Sequence, residues 1–181
     1  MITSEVNNIK ASCKVKNSDV GAKLKEFSIN SSLVTLKKSN FFVLRDKFVY
    51  IIFYTGHINI TGIKAFHEIN QSKGEIKAHL NLDIGEPRID NITLSGSVKG
   101  KVNLFSFSSI LQQNRLDFGF NPHKFPGLNF RPTSCPGTVV LFSSGKFILV
   151  GIKCQANITR VIDEFGRLFQ TYELEQMLRL S

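Results

Sequence analysis

The side chains that could make or break bonds are few and scattered. His57, His67, His79 and His123 stand at no metal-ligand spacing, and Cys13, Cys135 and Cys154 are an odd number with no C-x-x-C pair. That pattern supports neither a zinc ribbon nor a disulfide framework and reads as ordinary reduced thiols. No phosphate-binding glycine loop, nucleophile elbow or paired-carboxylate motif is present. Asp163-Glu164 and Glu173/Glu175 fall on a helix near the end of the chain, where a solvated face accounts for them. An enzyme is therefore the weakest reading, and neither a metal nor a cofactor is expected. Asn30, Asn59, Asn91 and Asn157 head N-x-S/T sequons, which chance supplies in an asparagine-rich chain. What remains is the chemistry of binding: amides, cations and 16 phenylalanines.

Charge narrows the partner. Lysine and arginine number 23 against 14 aspartates and glutamates, a formal net charge of +9, which suits nucleic acid or an anionic membrane surface. Hydrophobic residues at 42% exclude a wholly disordered chain, and no apolar run approaches the roughly 20 residues that cross a bilayer. Met1-Ile2-Thr3-Ser4-Glu5 lacks the basic-then-apolar order of a secretory signal, so an intracellular site is expected. At 181 residues the chain suits one domain with a sizeable core, built as halves.

The halves are visible when the chain is slid along itself. Val6-Asn7-Asn8-Ile9, then Ser12 and Val15, recur as Ile89-Asp90-Asn91-Ile92, then Ser95 and Val98, 83 residues on. Phe41 and Leu44 recur as Phe125 and Leu128 at 84. Phe53, Gly56 and Gly62-Ile-Lys64 recur as Phe142, Gly145 and Gly151-Ile-Lys153 at 89. Phe41 and Phe53 are 12 apart whereas Phe125 and Phe142 are 17 apart, so the first hairpin is expected to be five residues shorter. Residues 1–82 and 83–181 are the expected repeats.

Each half needs elements to hold these residues. Residues 6–16 read as a strand, Val20, Leu24 and Phe27 recur at helical spacing, and 33–36 is β-prone. Phe41–Leu44 and Phe48–Phe53 form a hairpin turning at Arg45-Asp46-Lys47, and a strand follows over 57–61. A weak helix over 65–79 is interrupted by Gly74. In the second half, Ile158, Val161, Ile162, Phe165, Leu168, Phe169 and Tyr172 form the stripe of a helix lying on a core. Strand alternation puts Ile58 and Ile60, like Phe147 and Leu149, toward the helices. The other face carries His57, Asn59 and Thr61 in one half and Phe142, Ser144, Lys146, Ile148 and Val150 in the other. Phe, Ile and Val beside a lysine on an open face mark a binding surface.

These residues resemble the TATA-box-binding protein family. Lys124-Phe-Pro-Gly-Leu-Asn-Phe-Arg131, Val139-Val-Leu-Phe-Ser-Ser-Gly-Lys146 and Gly151-Ile-Lys153 are similar, in order and spacing, to the family's F-P-G-L-x-[YF]-R, L-I-F-x-S-G-K and T-G-A-K block. Asn7-Asn8-Ile9-Lys10 and Asp90-Asn91-Ile92-Thr93 resemble its repeat-opening Q-N-[IM]-V. The likeness runs over essentially the whole chain, stronger in the second repeat. It implies an α+β saddle in which two pseudo-symmetric repeats form a curved ten-stranded antiparallel sheet with helices on the convex face. It also implies a concave face that enters the DNA minor groove and kinks the duplex with apolar wedges, a mechanism that comes with the family and is not deduced from these residues.

By that resemblance Phe125 and Phe142 are the wedge pair of the second repeat and Phe41 and Phe53 that of the first. Asn8 and Asn91 are the amides at the pseudo-dyad, able to donate to the acceptors that A·T pairs present in the minor groove. Arg131 and Lys146, with Arg45 and His57 in the first half, match phosphate-contacting positions. Ile148, Val150 and Thr61 match the groove floor. Lys10 and Thr93 stand where the family usually has valine, and Asn59 replaces another apolar floor residue, which relaxes TATA preference. Asn121-Pro-His-Lys124 carries no acid where the family often has an acidic stirrup for the transcription factor IIB class. The partners implied are A/T-rich double-stranded promoter DNA and general transcription factors of the IIA and IIB classes or their counterparts, without a membrane. The free protein has the option of a homodimer. The site of action implied is the nucleus, or the cytoplasmic site of transcription where the source lacks one or is viral. Two other functions stay open: a module of this fold that binds proteins after losing specific DNA binding, and a nucleic-acid-processing enzyme.

Overall fold

In each half of the chain, strands that alternate buried and open residues alternate in turn with helices that cover the buried side. A computed structural model describes residues 2–16, 20–134 and 136–180, so Cys135 lies outside the described residues. In chain order the elements are β1 (Thr3–Lys14), α1 (Gly21–Asn30), β2 (Val34–Lys37), β3 (Phe41–Arg45), β4 (Val49–Phe53), β5 (His57–Ile63) and α2 (Glu68–Leu80). They continue as β6 (Arg88–Ser97), α3 (Leu104–Gln113), β7 (Asp117–Gly119), β8 (Gly127–Arg131), β9 (Thr138–Phe142), β10 (Lys146–Ile152) and α4 (Gln155–Leu180). Among the described residues this gives ten strands, antiparallel in every recorded pairing, and four helices, the α+β content expected. None of those helices is long and apolar enough to cross a membrane.

The chain forms two compact units, Asn7–Asn91 and Met1–Val6 with Ile92–Ser181. In the first the strands run β2-β3-β4-β5-β1, and in the second β6-β10-β9-β8-β7. The buried side of the first holds Ile9, Ala11, Phe42, Leu44, Tyr50, Ile52, Ile58 and Ile60. The second is dominated by rings: Phe165 of α4 lies 5.1 Å from Phe147, 5.7 Å from Phe130 and 6.1 Å from Phe107. Phe165 has no exposed surface, so truncating it to alanine would cost about 3–5 kcal/mol.

Both units carry the same irregularity, and it explains the repeated Gly-Ile-Lys. Gly62 and Gly151 have φ of 87° and 85°, a region that side chains rarely adopt, and the strand register shifts at each. The bulge lets Ile63 and Ile152 both return to the buried side.

Several sequence expectations need correction. Gly74 does not interrupt α2, which is continuous; the glycine is on the exposed side, where its missing side chain leaves no packing gap. Helix α3 is the second-half counterpart of the Val20–Phe27 helix that the repeat implies, although the sequence reading gave it no bounds. Its start is fixed by the Asn103 side chain, which accepts from the N–H groups of Phe105 and Ser106, both at 3.1 Å. Glu164 is not on a solvated face; it is 8% exposed and turned into the second unit. The repeat alignment also slips. Phe41 pairs with Phe53, whereas it is Gly127 that pairs with Phe142, so the strand counterpart of Phe41 is Gly127. The β3–β4 turn (46–48) is three residues shorter than the β8–β9 connection (132–137). The other two residues of the expected difference lie ahead of β8, where Phe125 stands.

Candidate nucleic-acid interface

In the Asn7–Asn91 unit, β1 buries Ile9, Ala11 and Cys13 and turns Asn8, Lys10 and Lys14 to the open face, with Ser12 in the same phase but itself buried. Register places His57 opposite Lys14 and Asn59 opposite Ser12 on β5. On the same face, Thr61 is opposite Val49, Ile51 opposite Val43, and Phe53 opposite Phe41. Arg45, at the end of β3, is exposed. The Phe41 and Phe53 rings are 5.6 Å apart, half-buried, and His57 lies 6.0 Å from Phe53. His57 Nε2 is 3.2 Å from Asn59 Oδ1.

Asn8 has a defined orientation. Its Oδ1 accepts from the Gly62 N–H at 2.8 Å and from the Thr61 hydroxyl at 3.1 Å, both at the β5 bulge. With the oxygen committed to a backbone donor, the Nδ2 hydrogens are what the amide offers elsewhere, and A·T pairs present acceptors in the minor groove. Thr61 is thereby tied to Asn8 rather than pointing independently at the floor. Asn91 lies on β6 with buried Ile92 next to it, so it too is on the unburied side.

In the second unit the open face is more apolar. Val140, Ile148 and Val150 lie on it, with Ile148 38% exposed, and Thr93 shares its phase on β6. Phe125 and Phe142 are 5.9 Å apart with rings at 63°. Phe125 is 46% exposed. Lys146 is exposed at the start of β10, opposite Ser97. Arg131, although exposed, is 3.4 Å from the Asp117 carboxylate on the neighbouring strand, which offsets its charge locally.

A groove of about 820 Å³ runs over this face, lined by Thr3, Glu5, Ser95, Ser97, Phe142 and Ile148 among others. The Thr3 and Ser97 hydroxyls are 3.1 Å apart. The sequence reading did not assign Ser95 and Ser97 to the surface; the signal was their phase on β6, two and four residues beyond Thr93. Hydroxyls can donate to the A·T acceptors of a minor groove, whereas the Glu5 carboxylate can only accept, which in that groove matches the guanine amino group.

Away from this face, folding gathers ligand-type atoms that are far apart in sequence. Asp46, Glu75 and His79 each bring one within 4.8 Å of the others. They already serve each other and the fold: His79 Nε2 is 2.9 Å from Asp46 Oδ2, and Glu75 Oε1 accepts from the Tyr50 hydroxyl at 2.9 Å. Burial and the adjacent Glu75 push the Tyr50 hydroxyl's pKa well above its ordinary value. Burial likewise pushes the Cys13 thiol up to about 11, which leaves it unreactive, and Cys154 is a free, exposed thiol.

Known proteins share this fold. Residues 86–172 match the family model "Transcription factor TFIID (or TATA-binding protein, TBP)". A TATA-box-binding protein of Pyrococcus abyssi is 28% identical over 135 residues, 71% of this chain and 68% of that protein. One from Pyrococcus furiosus is 27% identical over 141 residues, 70% and 71% of the two. The solved structure of Methanococcus jannaschii TBP shares the fold at a TM-score of 0.73 and 20% identity, covering 93% of this chain and 98% of that one. The chain resembles the TATA-box-binding protein family in sequence over most of its length, and in fold. That family consists of transcription factors, not enzymes.

Proposed function

We propose that the chain binds A/T-rich promoter DNA through the minor groove, bends it with phenylalanine wedges, and presents its helices to general transcription factors of the IIA and IIB classes or their counterparts. One observation carries this reading: in both units a phenylalanine pair, Phe41 with Phe53 and Phe125 with Phe142, stands at the same end of an open strand face. Rings held at a strand end can enter a base step, and unstacking that step costs a few kcal/mol that wider contact with bent DNA offsets. Asn8 and Asn91 supply donors to A·T acceptors, Ile148 and Val150 the apolar floor, and Arg45, His57, Arg131 and Lys146 the phosphate contacts. The chain acts in the nucleus, or wherever transcription occurs in a source without one, and the open faces give the free protein a surface for self-association.

The test is binding to A·T-rich and G·C-rich duplexes over a salt series, with bending read by energy transfer between the duplex ends. Tighter A·T-rich binding, a log–log salt slope of about −3 for the three cations Arg45, Arg131 and Lys146, and a bend are expected. A shallow slope without a bend would leave the protein-interaction module.

A further inference from the structure

We infer that the chain kinks its duplex at one end only, the end served by Phe125 and Phe142, while the Asn7–Asn91 unit holds DNA chiefly by charge. This rests on the DNA-binding reading above. Strand register is the first argument. Phe41 lies inside β3, directly opposite Phe53, whereas Phe125 precedes β8 by two residues and reaches back over Gly127. A Cβ on Gly127 would come within 2.6 Å of the Phe125 ring and 3.1 Å of the Phe142 ring, so the glycine makes the room. Counting back equally from Phe41, the position matching Phe125 is Ser39.

The segment that carries Phe125 is the second argument. In the 120–126 connection the Asn121 carbonyl accepts from the N–H groups of Lys124 and Phe125, both at 3.0 Å, and Asn121 Oδ1 accepts from the His123 N–H at 3.2 Å. Phe120 is braced 5.0 Å from Phe105. This built turn projects Phe125 out of the sheet. In the other unit the Lys38 N–H bonds the Phe41 carbonyl at 2.8 Å and reduces the connection to a tip of Ser39 and Asn40. Neither of those two residues carries a ring.

Exposure and charge follow the same division. Phe125 is 46% exposed, whereas Phe41 and Phe53 are half-buried and Phe53 lies between Phe41 and His57, a floor rather than a blade. Around that floor stand Lys10, Lys14 and Arg45, all exposed. The open face of the other unit also carries two cations, Arg131 and Lys146, but sets two acids, Glu5 and Asp117, beside them, with Asp117 3.4 Å from Arg131.

The experiment measures bend angle and affinity on one A·T-rich duplex for the full chain and for Phe125→Ala, Phe41→Ala and Ser39→Phe, each first checked for an unchanged melting temperature. Phe125→Ala should remove most of the bend and weaken binding about tenfold or more. Phe41→Ala, which removes part of the binding floor, should weaken binding while reducing the bend far less than Phe125→Ala does. Ser39→Phe, at an exposed tip that tolerates a ring, should enlarge the bend. Equal loss of bend in Phe125→Ala and Phe41→Ala, or an unchanged bend in Ser39→Phe, overturns the one-ended kink while leaving DNA binding standing. An unaltered chain that binds A·T-rich DNA without bending it overturns both readings.

Discussion

The two hairpins at the heart of the units solve one problem in different ways. Each must keep a turn fixed against the helix behind it so that the strands, and the phenylalanines at their far ends, hold their register. The β3–β4 turn is three residues long and closes itself, the Asp46 N–H donating to the Phe48 carbonyl at 3.0 Å. Its links to α2 are surface side-chain pairs: Asp46 with His79 at 2.9 Å and Lys47 with Glu68 at 3.2 Å. The β8–β9 connection is six residues long, and α4 supplies a buried acceptor for it. Glu164 takes the Thr133 N–H at 2.7 Å, the Thr133 hydroxyl at 3.0 Å and the Ser134 N–H at 2.8 Å. A longer loop has more backbone donors than it can satisfy alone, and a carboxylate in a drier site binds them more strongly than a surface pair can.

Removing that carboxylate should therefore have the largest effect. Glu164→Ala leaves two backbone N–H groups and a hydroxyl without their acceptor, and a loss of about 3 kcal/mol in chemical unfolding is expected. A loss under about 1 kcal/mol would show that the loop is held by other means and that the contrast between the hairpins is false. The same pair of proteins gives a pH test. Burial opposes the charge on Glu164, but the hydrogen bonds from Ser134 and Thr133 outweigh it and hold the carboxyl below its ordinary 4.5. With the folded value below the unfolded one, the stabilisation is complete above the unfolded value and disappears as pH falls through the folded one. The stability gap between wild type and Glu164→Ala should narrow below about pH 4.5 and be flat above it.

Glu164 also shows what a sequence gives and withholds. It lies three residues after Val161 and four before Leu168, on the apolar stripe of α4, so an inward position was legible. What it binds was not, because Thr133 and Ser134 reach it only through the fold. The spacing of Leu104, Phe107, Ile110 and Leu111 likewise marks α3, although serines between them blur the pattern. The repeat from Phe53 to Lys64 was readable because a bulge glycine punctuates it twice. Phe41 and Phe125 were matched because Phe-x-x-Leu recurs at both, and only hydrogen-bonded register exposes the two-residue slip. The partition into an apolar face and an open one was readable throughout, since period-two alternation states it directly.

The first unit does have one buried link between hairpin and helix, and it tests whether the contrast is one of degree. Tyr50, fully buried on β4, has its hydroxyl 3.0 Å from the Ser72 carbonyl and 2.9 Å from Glu75 Oε1, one hydrogen serving two acceptors. Tyr50→Phe keeps the ring and removes the donor, and should cost about 1–1.5 kcal/mol in the same unfolding measurement. A cost matching that of Glu164→Ala would put the two hairpins on an equal footing.

The smallest effect belongs to the surface pair. His79→Ala removes the partner of Asp46, a carboxylate whose side chain is 45% exposed, and should cost about 0.2–1 kcal/mol at low salt. Exposed pairs are screened, so most of that cost should vanish in 1 M salt, where the Debye length is about 3 Å. The Glu164→Ala deficit should persist there, because its donors lie within hydrogen-bonding distance in a site with little solvent. Persistence of the His79→Ala effect at high salt would instead make the Asp46–His79 contact a packing link of α2 to its hairpin, and the two units would then differ in loop length but not in how they are fastened.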